Sequence, residues 1–435
     1  MAYDFFSGVS ARPYTRGVFP SQSSAVLRGP TQTYALPYPL SALGTGVPPW
    51  TPSGMPNAIV IPIDNVNTFY QVWSTLQNYR IPFDTRVILT FAATTYDFSY
   101  SGFSTTGEVL LNHPDGDRIY LIGTANNTTA GTQAPATRFV FPTSQFTRGL
   151  VVRDGYSINL INLWVTRPDS STDAESGSIG ISAQWNSFIQ MYHCSVKGFE
   201  YGIYTNKMST IFALSVIDTT TVPGSTLIRA CAVSAGTRGG RIGFNAADNS
   251  YIYTENSYVS AVNSGVSNNY YATPVGYQAL YNSTIIAKAS MAKGINSYIS
   301  SAYNVGYGFA SFYSSNIEVI GMPAVGLSGT VNGDYNCYTC GIGLYAFMNS
   351  TIRGATNASG STEHIGSSQS SAALSSAYPW LGWASANSYI DVRNLEISTY
   401  ETQYYQYHFV GAFNSYIRCG LGGLTNNIDG TSTYN

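Results

Sequence analysis

The first chemistry this sequence could carry is that of paired carboxylates. One such group protonates a leaving oxygen while the other acts as base or nucleophile, and the two must stand about 5 to 10 Å apart, which is the equipment of glycosidic-bond cleavage. The acids that fall within the repeated part of the chain are Asp218, Asp248, Glu255, Glu318, Asp334, Asp391 and Glu396. Asp248 and Glu255 flank one turn and form the first catalytic pair to test. The alternative is ordinary surface charge, and 22 acids in 435 residues is too low a density to favour a dedicated pair.

Metal and cofactor chemistry is not expected. His193 adjoins Cys194, and Cys337-Tyr-Thr-Cys340 is a C-x-x-C, but zinc asks for a second such pair or for two histidines at a set spacing. The four histidines, His113, His193, His364 and His408, are not so placed. Five cysteines make an odd count, too few for a disulfide framework in so long a chain, so they read as mostly buried, reduced thiols. No nucleophile elbow, phosphate loop or dinucleotide fingerprint is present; Gly306-Tyr-Gly308 and Gly341-Ile-Gly343 begin strands, where they read as turn glycines.

The aromatic surplus points to binding. Tyr270, Tyr271, Tyr303, Tyr307, Tyr313, Tyr335 and Tyr338 concentrate in repeats with long loops. Trp380 and Trp383 sit in a Ser/Ala-rich loop, and Tyr404 and Tyr405 lie in a tyrosine-rich stretch. A flat apolar face with a polar edge stacks on a sugar ring and loses little rotamer freedom in doing so. Tyr270, Tyr271, Tyr303, Tyr335, Tyr338, Trp380, Trp383, Tyr404 and Tyr405 are therefore the candidates for glycan contact. The competing role for each of them is to cover a wall or an interface between subunits.

The elements that must position these residues are strands. Hydrophobic residues make up 44% of the chain, enough for a large core, whereas only 10% are charged, so neutral polar groups must cover the surface. Tyr, Thr, Val and Ile suit pleated strands, and Gly, Asn and Ser suit turns. A net charge of −2 and a pI near 6.1 offer no basic field for nucleic acid. No apolar run is long enough to span a bilayer, and the amino terminus has neither the basic nor the apolar region of an export signal.

From about residue 150 the sequence repeats. The unit is a Gly, a short β segment, a turn carrying Asn-Ser, and a second β segment that starts near an Ile, as in Gly243-Phe-Asn-Ala-Ala-Asp-Asn-Ser-Tyr-Ile252 and Gly276-Tyr-Gln-Ala-Leu-Tyr-Asn-Ser-Thr-Ile285. Ile252, Ile285, Ile317, Ile352, Ile390 and Ile417 follow one another at intervals of 33, 32, 35, 38 and 27 residues. Apolar residues alternate with Ser, Thr and Asn over a few positions and then stop, which encodes strands and turns and excludes a helical repeat. A β-propeller would need more strands per unit. The expected fold is all-β, a right-handed parallel β-helix (solenoid) with a short N-terminal capping helix and an extended N-terminal arm. Ile should stack on Ile in the core, and Asn should stack on Asn at the turn with side-chain amides bonded along the axis.

Four regions follow: 1–57, a proline-rich arm with aromatic anchors; 58–150, a helix-plus-strand cap; 151–420, the β-helix; and 421–435, a C-terminal tail. In the cap, Asn65 should cap a helix whose Val66, Phe69, Val72, Trp73 and Leu76 share one face. Pro114 and Asp115-Gly116 should turn the chain into a strand over Ile119 to Ile122. The run Asn112-His-Pro-Asp-Gly-Asp-Arg118 after a short sealing helix, together with the repeats, resembles bacteriophage tailspike and tail fibre proteins over roughly residues 60 to 420.

That resemblance implies a homotrimer of β-helices, an arm bound to virion tail or adaptor proteins, and adsorption to host cell-surface polysaccharide. It also implies assembly in the host cytoplasm and service on the virion outside the cell. The non-enzymatic receptor-binding fibre is the leading expectation. A depolymerase, a polysaccharide hydrolase or lyase using Asp248 and Glu255, is the alternative, and a decoration protein with no glycan partner is the third.

Overall fold

The computed structural model describes residues 57–99, 102–103, 107–124, 135–143, 145–168, 177–214, 231–235, 242–255, 257–263, 275–288, 290–297, 306–320, 337–338, 342–355, 364–365, 380–392, 396–397 and 407–419. The expected arm, apart from Asn57, and the C-terminal tail lie outside these residues. Among the described residues the chain is all-β, with strands in parallel sheets.

Three sheets of twelve, ten and eight strands take the chain in rotation. It passes from Arg148–Arg153 in the second sheet to Ser157–Ile161 in the first and Leu163–Thr166 in the third. It then returns to the second at Ile179–Gln184, beside the strand it left. Strands of the first sheet lie in parallel register on those of the circuit before, so their backbone groups pair from one circuit to the next. His364–Ile365 and Glu396–Ile397 make a separate two-stranded pairing.

The expected isoleucine stack is present. In the first sheet Ile158, Ile189, Ile211, Ile252, Ile285, Ile317, Ile352, Ile390 and Ile417 are successive register partners, all of them buried. They belong to one continuous apolar cluster that runs from Ile59 to Ile417. In the second sheet the inward column carries rings: Phe244, Tyr277 and Phe309 stack at 5.1 and 4.6 Å with planes within 7° of parallel. The Tyr277 hydroxyl stays inside because Ser257 Oγ meets it at 2.7 Å, and Ser257 in turn donates to Ser290 Oγ.

The glycine that opens a unit has a steric cause at Gly180, Gly243 and Gly276. A Cβ on Gly243 would stand 2.4 Å from Val259 Cγ1 and 2.6 Å from the Gly276 carbonyl oxygen. Only a hydrogen there lets the third sheet press its inward valine against the second sheet.

The helix forms as the spacing predicts. It spans Val66–Leu76, Asn65 Oδ1 accepts from the Thr68 N–H at 3.0 Å, and Val66, Phe69, Val72, Trp73 and Leu76 are the buried residues. Its greasy side is covered by Phe91, Phe98 and Phe103. The Pro114 turn leads through a 3₁₀ turn, Gly116–Arg118, into the strand Ile119–Ile122. The region expected to be a cap also gives strands to all three sheets, from Asn57–Ile63 and Thr85–Phe91 onward.

The axial ladder at the Asn-Ser turn differs from expectation. Serine, not asparagine, makes it: the backbone N–H groups of Ser187, Ser209, Ser250, Ser283, Ser315, Ser350 and Ser388 each donate to the hydroxyl oxygen of the next turn's serine at 3.1 to 3.3 Å. The serines are buried while the preceding asparagines are exposed, because a strand that puts its Ile inside must put the residue two before it inside as well.

Candidate functional site

The corner between the second and first sheets carries most of the positive-φ non-glycine residues among the described residues. Two residues in a row take positive φ at each Asn-Ser turn, for example Tyr281 at 53° and Asn282 at 60°, Tyr313 at 55° and Ser314 at 63°, and Phe413 at 53° and Asn414 at 59°. This left-handed pair carries the chain from the second sheet into the first. Its second N–H donates to the first carbonyl of the next turn, as Asn282 does to Tyr313 and Asn349 to Ala386.

Asparagine suits such a position and bulky rings do not, because Cβ crowds the following carbonyl, a strain of about 1 to 3 kcal/mol. Yet the first turn position holds Trp185, Lys207, Asp248, Tyr281, Tyr313, Met348, Ala386 and Phe413 in successive circuits. Trp185, Tyr281, Tyr313, Met348 and Phe413, together with Met208 at a second position, are six of the eight exposed large hydrophobics of the described residues, the others being Tyr70 and Phe83; Phe413 reaches 75% exposure. The strain at these positions is not offset by burial in the core.

The stripe is ordered along the corner. Lys207 Nζ lies 4.9 Å from the Trp185 ring centroid, and the Tyr281 and Tyr313 rings stack at 4.9 Å and 13°. Beside the tyrosines a groove of about 520 Å³ is lined by Tyr281, Asn282, Tyr313, Ser314, Met348, Asn349, Ala386 and Asn387. None of these side chains is charged. The sequence signal for them was the residue just before each Asn-Ser, a position that carries large side chains where a turn alone would favour small polar ones.

The expected carboxylate pair is not brought together. Asp248 sits in the corner turn before the strand Tyr251–Glu255, and Glu255 ends that strand, about 13 Å from its first residue. Glu255 is held by Lys288 Nζ at 2.8 Å and by the Tyr253 hydroxyl at 3.0 Å. Burial, and then Glu255, push the Tyr253 hydroxyl pKa upward. Glu318 and Asp391 are likewise register partners of Arg353, and Asp391 of Arg418, so opposite charges face each other from strand to strand. Asp218 and Asp334 lie outside the described residues, as does the side chain of Glu396.

Of the glycan candidates, Tyr270, Tyr271, Tyr303, Tyr335, Tyr404 and Tyr405 lie outside the described residues. Tyr338 falls in the strand Cys337–Tyr338, of which only the backbone is described. Trp380 and Trp383 are not in a loop: both belong to the strand Trp380–Ser385, registered on Ile342 and Tyr345. Trp383 is half-buried against Tyr345, with ring centroids 5.7 Å apart. The small residues around it fit a strand whose neighbours already supply rings.

Cys194 is fully buried and its thiol pKa is pushed up to about 12 by that burial. His193 is lowered by burial, and its Nδ1 meets Asn162 Oδ1 at 2.9 Å. Among the described residues no three of His, Cys, Asp and Glu gather to hold a metal. No family model, curated protein or solved structure matches this chain.

Proposed function

We propose that the three sheets are the walls of a right-handed parallel β-helix, that the chain is the shaft of a phage tailspike or tail fibre, and that its corner stripe binds host-surface polysaccharide without cleaving it. The observation that carries the binding role is the row of large side chains held exposed at positive φ, where turn formation alone would place Asn or Gly. The case for shaft architecture rests on the matched register of the isoleucines and serines and on the likeness of the Asn112 to Arg118 turn to those proteins. The reading includes a trimer of this chain, attachment to the particle through residues 1–57 and service outside the cell. Binding is favoured over cleavage because Glu255 is committed to Lys288 and stands at the far end of the strand that follows Asp248.

The test is to incubate the full chain with a panel of bacterial surface polysaccharides and to measure both retention and release of reducing ends. Retention without release, lost in Tyr281→Ala and Tyr313→Ala proteins, is the expected result. Release that disappears in Asp248→Ala or Glu255→Ala protein would establish a depolymerase instead. Retention on purified virions with no retention on any glycan would favour a decoration protein.

A further inference from the structure

We infer that the ligand of the corner groove is an uncharged linear glycan lying along the stacking direction of the strands, one that reads several circuits at once. The inference rests on the glycan-binding reading above and adds the charge, orientation and span of the occupant.

Charge comes first. Every hydrogen-bonding side chain in the groove is neutral: the phenols of Tyr281 and Tyr313, the hydroxyl of Ser314 and the amides of Asn282, Asn349 and Asn387. Such groups both donate and accept, as sugar hydroxyls do, so a neutral polyol exchanges its water for equivalent partners. A carboxylate or phosphate on the ligand would lose hydration with no cation in the groove to meet it. The charged first positions of the same corner, Lys207 and Asp248, lie in the circuits before Tyr281, outside the groove.

Orientation follows from the repeat. Equivalent side chains recur at each circuit, 4.9 Å apart where Tyr281 stacks on Tyr313, close to the usual strand spacing of about 4.8 Å. Because these two rings cover each other's facing sides, they present their rims to a ligand. An extended chain laid along the corner meets a neutral polar group at every level, Asn282, Ser314, Asn349 and Asn387, with phenols at the first two levels, while Met348 and Ala386 supply an apolar floor for ring C–H groups at the last two. The four levels from Tyr281 to Ala386 cover three strand spacings, about 14 Å.

The experiment is a binding titration of the full chain, by calorimetry, against neutral and anionic bacterial surface polysaccharides and against size-graded fragments of whichever binds. It is run at low and high salt, with sedimentation of the same samples. A neutral glycan should bind with affinity unchanged within about twofold by salt, and affinity should climb with fragment length and level off once the four circuits are spanned. Tyr313→Ala should weaken binding about tenfold, the equivalent of one good contact. Tyr313→Phe, which keeps the ring stack and so the fold, should weaken it a few-fold, and Phe83→Ala, on an exposed ring far along the chain, should not change it.

Salt-sensitive binding of anionic glycans only would overturn this inference and leave the glycan-binding reading standing. A neutral glycan whose affinity is indifferent to fragment length would overturn the axial arrangement. If no glycan binds and Tyr313→Ala changes the sedimentation of the chain, both readings fall and the corner is a contact between copies.

Discussion

Ser250 gives its backbone N–H to the hydroxyl oxygen of Ser283, 33 residues ahead and 3.1 Å away. Both serines are buried, and the same bond recurs at each Asn-Ser corner. The corner is therefore a hydrogen-bonded ladder whose steps are single side chains, and Ser283→Ala should leave the Ser250 N–H buried without its acceptor. A loss of about 1 to 3 kcal/mol is expected from a urea unfolding curve. Asn282→Gly, which removes an exposed amide from a left-handed position, should cost only a few tenths.

Gly243 faces a comparable constraint from the opposite direction. Adding a methyl group there drives it against Val259 Cγ1 and the Gly276 carbonyl oxygen, so Gly243→Ala should destabilise by about 1 to 3 kcal/mol. Val259→Ala in the same chain should recover part of the loss, because it removes one obstacle while the carbonyl remains. Thermal midpoints of the two single variants and the double variant measure that coupling.

Met348 occupies a left-handed turn position at the groove with 40% of its surface exposed. Met348→Asn relieves backbone strain and removes part of the apolar floor. Stability should rise by up to about 1 kcal/mol while glycan affinity falls. A variant that lost both, or gained both, would show that the strain is not held there for contact.

Acid should unfold the N-terminal region through Asp115 and His113. Burial raises the Asp115 pKa, but hydrogen bonds from Arg80, the charge of Arg118 and the Ile81 N–H outweigh it, so its carboxyl is held below the ordinary 3.8. The folded value being the lower one, this contribution is full above 3.8 and is lost as pH falls through the folded pKa. His113 is lowered chiefly by burial, so the folded state resists its protonation and stability begins to fall once pH drops below its ordinary 6.5. Two acid-side losses are expected in thermal midpoints from pH 7 to pH 2. His113→Gln should remove the upper one and Asp115→Asn the lower.

Much of the fold was legible because local spacing carries it. The helix over Val66–Leu76 follows from apolar residues on one face behind an Asn cap, and the isoleucine column follows from a constant offset between Asn-Ser and Ile. The expected asparagine ladder overlooked the two-residue offset that turns the serine inward together with its Ile. Asn282 and Ser283 both carry groups able to form a ladder, and Ser283 makes it because it shares the inward face with Ile285. Trp383 looked like a loop residue because its neighbours are small, and its strand pairing with Tyr345 is a long-range fact.

The sequence by itself determined strands, turns, a capped helix and a stacked core, since these depend on residue type at fixed short intervals. Only the tertiary structure decided that Glu255 meets Lys288 rather than Asp248, and that Trp185, Tyr281, Tyr313, Met348 and Phe413 line one exposed corner. Both depend on how segments about thirty residues apart come into register and on the sign of φ at the turn. Neither quantity is written in the identity of any one residue.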